Sequence, residues 1–431
     1  MNGPTRFVAA FFFLIAIGGL APTPSPAAGD EPWILDANNW QEGKDLLPEP
    51  LVKRLQKGEY WFKVVPADPK KFHENIAKKF WDASAANEGK YEVDEKTRGL
   101  KDKSTGQIPG YVVGLPFPKI EQGDPQAGAK IAWNFTFVSG MGDGGGATFT
   151  LNGIDTNGEF RKIKAFIHLM GYQGRLGGEI KDNPEKLAGT GLSGALEPQD
   201  VEGVSSLTKR YWDWESQDAI WAYVPSTRRA RRINAASRSD PVAGLDLFAD
   251  DLNCYAGKVE YYQWKLVGEG KVLAPLIQPY AFPMRQTNPS RYMVETPYPK
   301  AGFEMPGSRG VPWWIQENLV FVPRQVWIVE GQSDDPYYNF GKVIMYFDKE
   351  TYRIYYKMVH NRAGEYFYTA TCAYHFVKLD DTFSLVQQNM VIGVNDKINR
   401  AAVAGRYQSS FVERSWDPSY FSLRTITHMS D

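Results

Sequence analysis

Lys342-Val343-Ile344-Met345-Tyr346-Phe347-Asp348-Lys349-Glu350-Thr351-Tyr352-Arg353-Ile354-Tyr355-Tyr356-Lys357-Met358 reads as two strands about a tight connection. In the second strand Tyr352, Ile354, Tyr356 and Met358 fall on one face and Arg353, Tyr355 and Lys357 on the other, because successive strand side chains point to opposite sides. The pattern recurs upstream in Gln325-Val326-Trp327-Ile328-Val329-Glu330. It recurs downstream in residues 365–377, where Tyr366, Tyr368, Ala370, Cys372, Tyr374 and Phe376 share a face. Long aromatic strands of period two, joined by short turns, predict one extensive antiparallel sheet, curved and partly closed.

Outward from this meander, residues 221–275 are the densest chemistry: an aromatic strand, a turn, four arginines, an acidic cluster and a second aromatic strand. Residues 205–214 alternate and pair with Ala219-Ile220-Trp221-Ala222-Tyr223-Val224 as an expected hairpin. The segment 171–203, rich in glycine, leucine and charge, is expected to be an irregular loop. Residues 45–55 predict a short amphipathic helix with a proline-rich first turn, and 70–86 a second, with Phe72, Ile76, Phe80 and Trp81 at helical spacing. Residues 59–65, 111–118 and 131–137 predict strands, the second ending against prolines. Residues 395–407 are weakly helical.

Between the last of those strands and Ala147-Thr148-Phe149-Thr150-Leu151 lies Ser139-Gly140-Met141-Gly142-Asp143-Gly144-Gly145-Gly146. Gly140, Gly142 and Gly145 match a dinucleotide-binding pattern formally, but a strand follows where phosphate binding needs a helix N-terminus. A glycine hairpin is the favoured reading. No Lys-Ser/Thr pair follows the glycines, so a P-loop is excluded.

The first 28 residues have the form of a cleaved export signal: Arg6, an apolar run from Phe7 to Leu20, then small residues to Ala28. The run is shorter than the roughly 20 residues of a spanning helix and is followed by prolines. Residues 29–203 would supply the N-terminal helices and first strands, and 204–431 the main sheet, as one continuous domain. With 431 residues, 43% of them hydrophobic, the chain can bury a large core. Removing the leader takes Arg6 away, moving the formal net charge from -1 to -2. Such a balance argues against nucleic acid as a partner. Cys254 and Cys372 would meet an oxidising compartment as one disulfide or as two buried thiols.

Several short motifs in order carry a resemblance. They are Gly114-Leu115-Pro116-Phe117-Pro118, Asp124-Pro125-Gln126-Ala127-Gly128, Trp133-Asn134, Tyr223-Val224-Pro225, Arg228-Arg229-Ala230-Arg231-Arg232 and Gly244-Leu245-Asp246. Asp250-Asp251, Tyr255-Ala256-Gly257-Lys258, Trp264-Lys265-Leu266-Val267-Gly268, residues 324–330 and Tyr346-Phe347-Asp348-Lys349-Glu350 continue it. Together they resemble exported proteins of unknown function related to the outer-membrane lipoprotein-sorting proteins, in the LolA/LolB-like superfamily. The resemblance covers most of the chain after the leader. It implies a mainly β (α+β) fold, an incomplete barrel with a few helices across its concave face and a hydrophobic cavity between. It also implies a periplasmic carrier, accessory to an inner-membrane transporter of the resistance-nodulation-division type; that no cysteine follows the apolar run of the leader predicts a soluble exported protein. This chain is much longer than the sorting proteins.

Arg228, Arg229, Arg231 and Arg232 could hold a phosphate or lipid head group. Strand alternation divides them between two faces, and pairing with Asp240, Asp246, Asp250 and Asp251 into a charged seam is favoured, since a half-buried guanidinium needs a partner. Asp250 and Asp251 are adjacent, so on a strand they diverge and make no catalytic pair. The five histidines lack metal-ligand spacing, Cys372 and His375 form a lone CxxH, and no serine stands in a nucleophile elbow. No cofactor, metal or enzymatic activity is expected. Trp221, Tyr223, Trp264, Trp327, Tyr352 and Tyr356 are the candidate ligand-binding residues, with ordinary core as their competing reading. The functional expectation is a carrier for a lipid, acyl chain or other hydrophobic molecule. The alternatives are a glycan-binding or glycan-cleaving envelope protein, and a structural subunit without ligand.

Overall fold

The fold is described from a computed structural model over residues 31–138 and 143–428. The expected leader, 1–28, lies outside these residues, as do positions 139–142 of the expected glycine hairpin. The meander is present: Val320–Ser333, Phe340–Asp348, Ile354–Asn361, Tyr366–Asp380, Phe383–Asn395 and Arg400–Glu413 pair antiparallel, each with the next. Tyr262–Leu276 adds beside Val320–Ser333. Beyond Arg400–Glu413 the order continues through Gly144–Asp155, Gly158–Gly171, Leu187–Glu197, Ser205–Tyr211, Ala219–Val224 and Arg229–Ile233. With shorter strands this makes a 17-stranded sheet that includes strands from both sides of residue 203.

The sheet curls back on itself. Leu276 pairs in parallel with Tyr374, and Phe282–Gln286 joins the Tyr366–Asp380 strand in parallel while Arg291–Val294 joins Arg400–Glu413. These cross-links close rings within a mostly β fold without producing a single barrel. Where the sheet curls, strands are covered on both faces. That is why Tyr355 and Lys357, which alternation sets on the face opposite Ile354 and Tyr356, are buried along with them, while Arg353, also buried, lies just before the strand begins at Ile354.

Six local expectations change. Residues 131–137 belong to a helix, Ala127–Phe137, rather than a strand. It is buried nearly all round, so it shows no amphipathic stripe, and Ile131, Trp133, Phe135 and Phe137 imitate period two. Gly128 lets it lie directly on the Tyr262–Leu276 strand: a Cβ there would stand 2.9 Å from the Lys265 nitrogen. Gly144–Gly146, expected in a hairpin, open the Gly144–Asp155 strand.

Residues 111–118 form no strand, because side chains take over the ladder's role. Gln173 Oε1 accepts from the Val112 N–H (3.0 Å), Ser84 Oγ from Leu115 (2.8 Å) and Asn134 Oδ1 from Phe117 (3.0 Å). The expected helix at 70–86 is divided into Pro69–His73 and Lys78–Ala86. At the break the Asn75 amide donates to the Pro279 carbonyl and accepts from the Ala281 N–H, and Ser384 Oγ accepts from the Ala77 N–H. The helix Glu49–Gln56 forms as expected. Leu187–Glu197, within the expected loop, is a strand of small residues, and residues 395–407 form the end of one strand, a turn at 396–399 and the start of the next rather than a helix.

Candidate ligand-binding cavity

The strand registers place one row of side chains, Cys372, Val391, Ala404, Leu151 and Ile163, across five neighbouring strands on one face. A second row on that face runs Ile167, Ser193, Ser206, Ala222 and Arg231. Over these rows lies the segment 242–252, and between sheet and segment is a cavity of about 580 Å³. Small side chains at Ser193, Ser206, Ala222 and Ala404 leave the space; Phe149, Leu151, Ile163, Leu247 and Phe248 make it apolar. Leu252 and Gln388 also border a smaller recess beside Gly144, Gly145 and Phe411.

The roof is pinned to the sheet by a disulfide and by buried charge. Cys254 is bonded to Cys372 in the floor row. Asp251 accepts from the Phe248 N–H (2.9 Å) and the Tyr368 hydroxyl (2.7 Å), and pairs with Lys357 Nζ at 2.7 Å. Lys357 also donates to the Asp250 carbonyl at 2.8 Å. The Asp250 carboxylate pairs with Arg238 at 3.3 Å and accepts from the Tyr338 hydroxyl at 2.5 Å. Gln388 accepts from the Asn253 N–H and donates to the Asp251 carbonyl. Two cations meet two carboxylates, so the buried cluster is neutral and each charge is compensated. Burial is the largest single influence on the Arg238 guanidinium and would lower it; Asp250 together with the hydroxyls of Tyr255, Tyr338 and Tyr262 outweighs burial and raises it above its ordinary value.

The expected seam between the arginine and aspartate clusters does not form. Asp246 pairs with Arg400 at 2.6 Å, Asp250 with Arg238 and Asp251 with Lys357. Arg228, Arg229, Arg231 and Arg232 are exposed instead, in the turn and strand at the edge of the sheet. The carboxylates leave the arginines because residues 242–254 fold as 3-10 turns back over the sheet. Neither Lys357 nor Arg238 was expected as a partner of these carboxylates. The one available signal for Lys357 was a single lysine within an aromatic strand.

None of the six expected ligand-binding aromatics borders the cavity. Ala222 faces it, so its neighbours Trp221 and Tyr223 point the opposite way. There they pack in a second core with Leu192, Leu207, Phe421 and Ile426. Trp264 is buried against Tyr255 and Tyr262 and donates from Nε1 to the Val259 carbonyl. Tyr356 is fully buried, its hydroxyl bonded to the Leu273 carbonyl. Tyr352 occupies a turn with φ 53° and is buried. Trp327 is half-buried beneath the Lys349 ammonium, 4.0 Å from its ring. Among the described residues no three potential metal ligands converge, and no helix is long and apolar enough to cross a membrane.

Fold and cavity define a β-sheet protein built around an apolar, ligand-sized space. The chain belongs to the family described as protein of unknown function (DUF1329), which it matches over residues 34–408. This agrees with the resemblance carried by the motifs. Among solved structures it is similar to a domain from Vibrio parahaemolyticus described as an outer membrane lipoprotein-sorting protein. That match has 14% identity and a TM-score of 0.48, over 71% of this chain and 100% of that one. A DUF1329 family protein from Desulfovibrio piger matches with 14% identity and a TM-score of 0.47, over 70% and 99%. A LolA superfamily protein from Nitrosomonas europaea matches with 12% identity and a TM-score of 0.42, over 69% and 98%. No curated protein matches the sequence.

Proposed function

We propose that this protein is a non-enzymatic carrier that shelters a hydrophobic molecule, a lipid or acyl chain, beneath the 242–252 roof. The observation that carries this reading is the cavity itself. Its volume of about 580 Å³ falls within the roughly 300–1,000 Å³ of small-molecule sites, and its walls are mainly aliphatic, aromatic and small. Each methylene moved from water into such a space contributes about 0.8 kcal/mol. The leader-like residues 1–28 and the motif resemblance support a soluble protein of the periplasm that passes its cargo to an inner-membrane transporter.

Against the glycan reading stands the engagement of Asp250 and Asp251: both are buried and paired with Arg238 and Lys357, not turned across an open groove. The test is solvent extraction and mass spectrometry of mature protein purified without detergent. A near-stoichiometric lipid or other apolar compound is expected. Nothing above buffer background, together with no uptake of N-phenyl-1-naphthylamine by the purified protein, would overturn the reading.

A further inference from the structure

We propose that the ligand is an amphiphile with an anionic head group, its tail in the cavity and its head on Arg229 and Arg231. This deepens the carrier reading and rests on it. Arg229–Ile233 is the edge strand at the cavity end of the sheet, and its register sets Arg231 beside Ala222 and Arg229 beside Val224. Ala222 lines the cavity. Strand alternation therefore puts Arg229 and Arg231 on the cavity's face, one strand spacing of about 4.8 Å beyond its wall. The roof residues Val242 and Ala243 border the cavity as well, and Ala243 is exposed, so the cavity reaches solvent near the roof's N-terminal end.

Both guanidinium groups are available there. The carboxylates that follow them in sequence are engaged elsewhere: Asp240 with Asn339, Asp246 with Arg400 and Asp250 with Arg238. Among the described residues none of the four arginines is ion-paired. An exposed guanidinium offers a planar fork of donors that suits a carboxylate or phosphate. The other two arginines serve as an internal comparison. Arg232 alternates to the opposite face, its guanidinium 5.8 Å from the Trp221 ring, and Arg228 occupies the turn with φ 49°. Charge on an edge strand also deters pairing between sheet edges. All four arginines serve that role, whereas head-group binding is restricted to two.

The experiment uses the delipidated mature protein with N-phenyl-1-naphthylamine as a neutral apolar probe, displaced by oleate, oleoyl-lysophosphatidylglycerol or monoolein. At least one anionic amphiphile should compete about tenfold better than monoolein. Preference for oleate assigns a carboxylate head, preference for the lysolipid a phosphate, and both support the proposal. In R229Q/R231Q the advantage should vanish with monoolein displacement unchanged, while R228Q/R232Q should keep it; unchanged monoolein displacement also reports an intact cavity. Equal competition by monoolein in the native protein, or an advantage that survives R229Q/R231Q, overturns the head-group assignment and leaves the carrier reading standing. Failure of the probe to bind the native protein overturns both.

Discussion

Cys254 and Cys372, 118 residues apart in sequence, are joined by a disulfide that ties the roof of the cavity to its floor, their Cα atoms 6.1 Å apart. Closing a loop of that length restricts the unfolded chain, and removing such a bond costs about 2–5 kcal/mol. C254S/C372S should therefore melt well below the native protein in calorimetry and should release a bound apolar probe faster. Unchanged melting would show that the buried charges hold the roof without the bond.

Lys357 lies against Asp251 with both side chains inaccessible to water. Replacing Lys357 by Met leaves Asp251 buried without its cation, an expected loss of about 3–5 kcal/mol. K357M/D251L should lose less than the sum of the two single changes, because no isolated charge remains. Urea denaturation of the four proteins measures the coupling; strict additivity would remove the pair from the account.

His375 is fully buried, and burial pushes its imidazole down to about 4. The unfolded chain titrates near 6.5, so between pH 6.5 and 4 it binds the proton that the folded protein refuses. The contribution is complete above pH 6.5 and is lost as pH falls through 4, about 3 kcal/mol in all. Native protein should lose stability faster than H375Q across this window, as read by urea midpoints. Parallel curves would exclude the histidine as the cause.

Ala404 faces the cavity between Val391 and Leu151. A404F projects a ring into space already present, so its packing cost stays below the roughly 1–3 kcal/mol of overfilling a dense core. Binding of N-phenyl-1-naphthylamine should fall by about tenfold or more, about 1.4 kcal/mol, with melting within a few degrees of native. Undiminished binding would place the ligand elsewhere, with the recess beyond Leu252 as the next location to probe.

Much of the fold was legible because half of it is periodic. The strands around Trp327, Tyr346, Tyr356 and Tyr374 announce themselves by alternation, and the hairpin at Ser205–Tyr211 and Ala219–Val224 by its turn. Ala127–Phe137 and Leu187–Glu197 were hidden for opposite reasons. The helix is buried nearly all round and shows no stripe, and the strand is built of residues too small to mark a face. For the cavity, the aromatics that drew attention by size are those that fill space. The wall is made by residues such as Ser193, Ser206 and Ala222, which sequence reading passes over.

By itself the sequence determined the β class, the meander and its alternation, since periodicity is a local property of the chain. Which face of each strand meets space, and which charge meets which, was decided by tertiary structure. The turns at 242–254 carry Asp250 and Asp251 away from the neighbouring arginines to Arg238 and to a lysine about a hundred residues on. Buried charge must be compensated wherever the chain can bring a partner. That requirement acts through space and leaves no periodic trace in the order of residues.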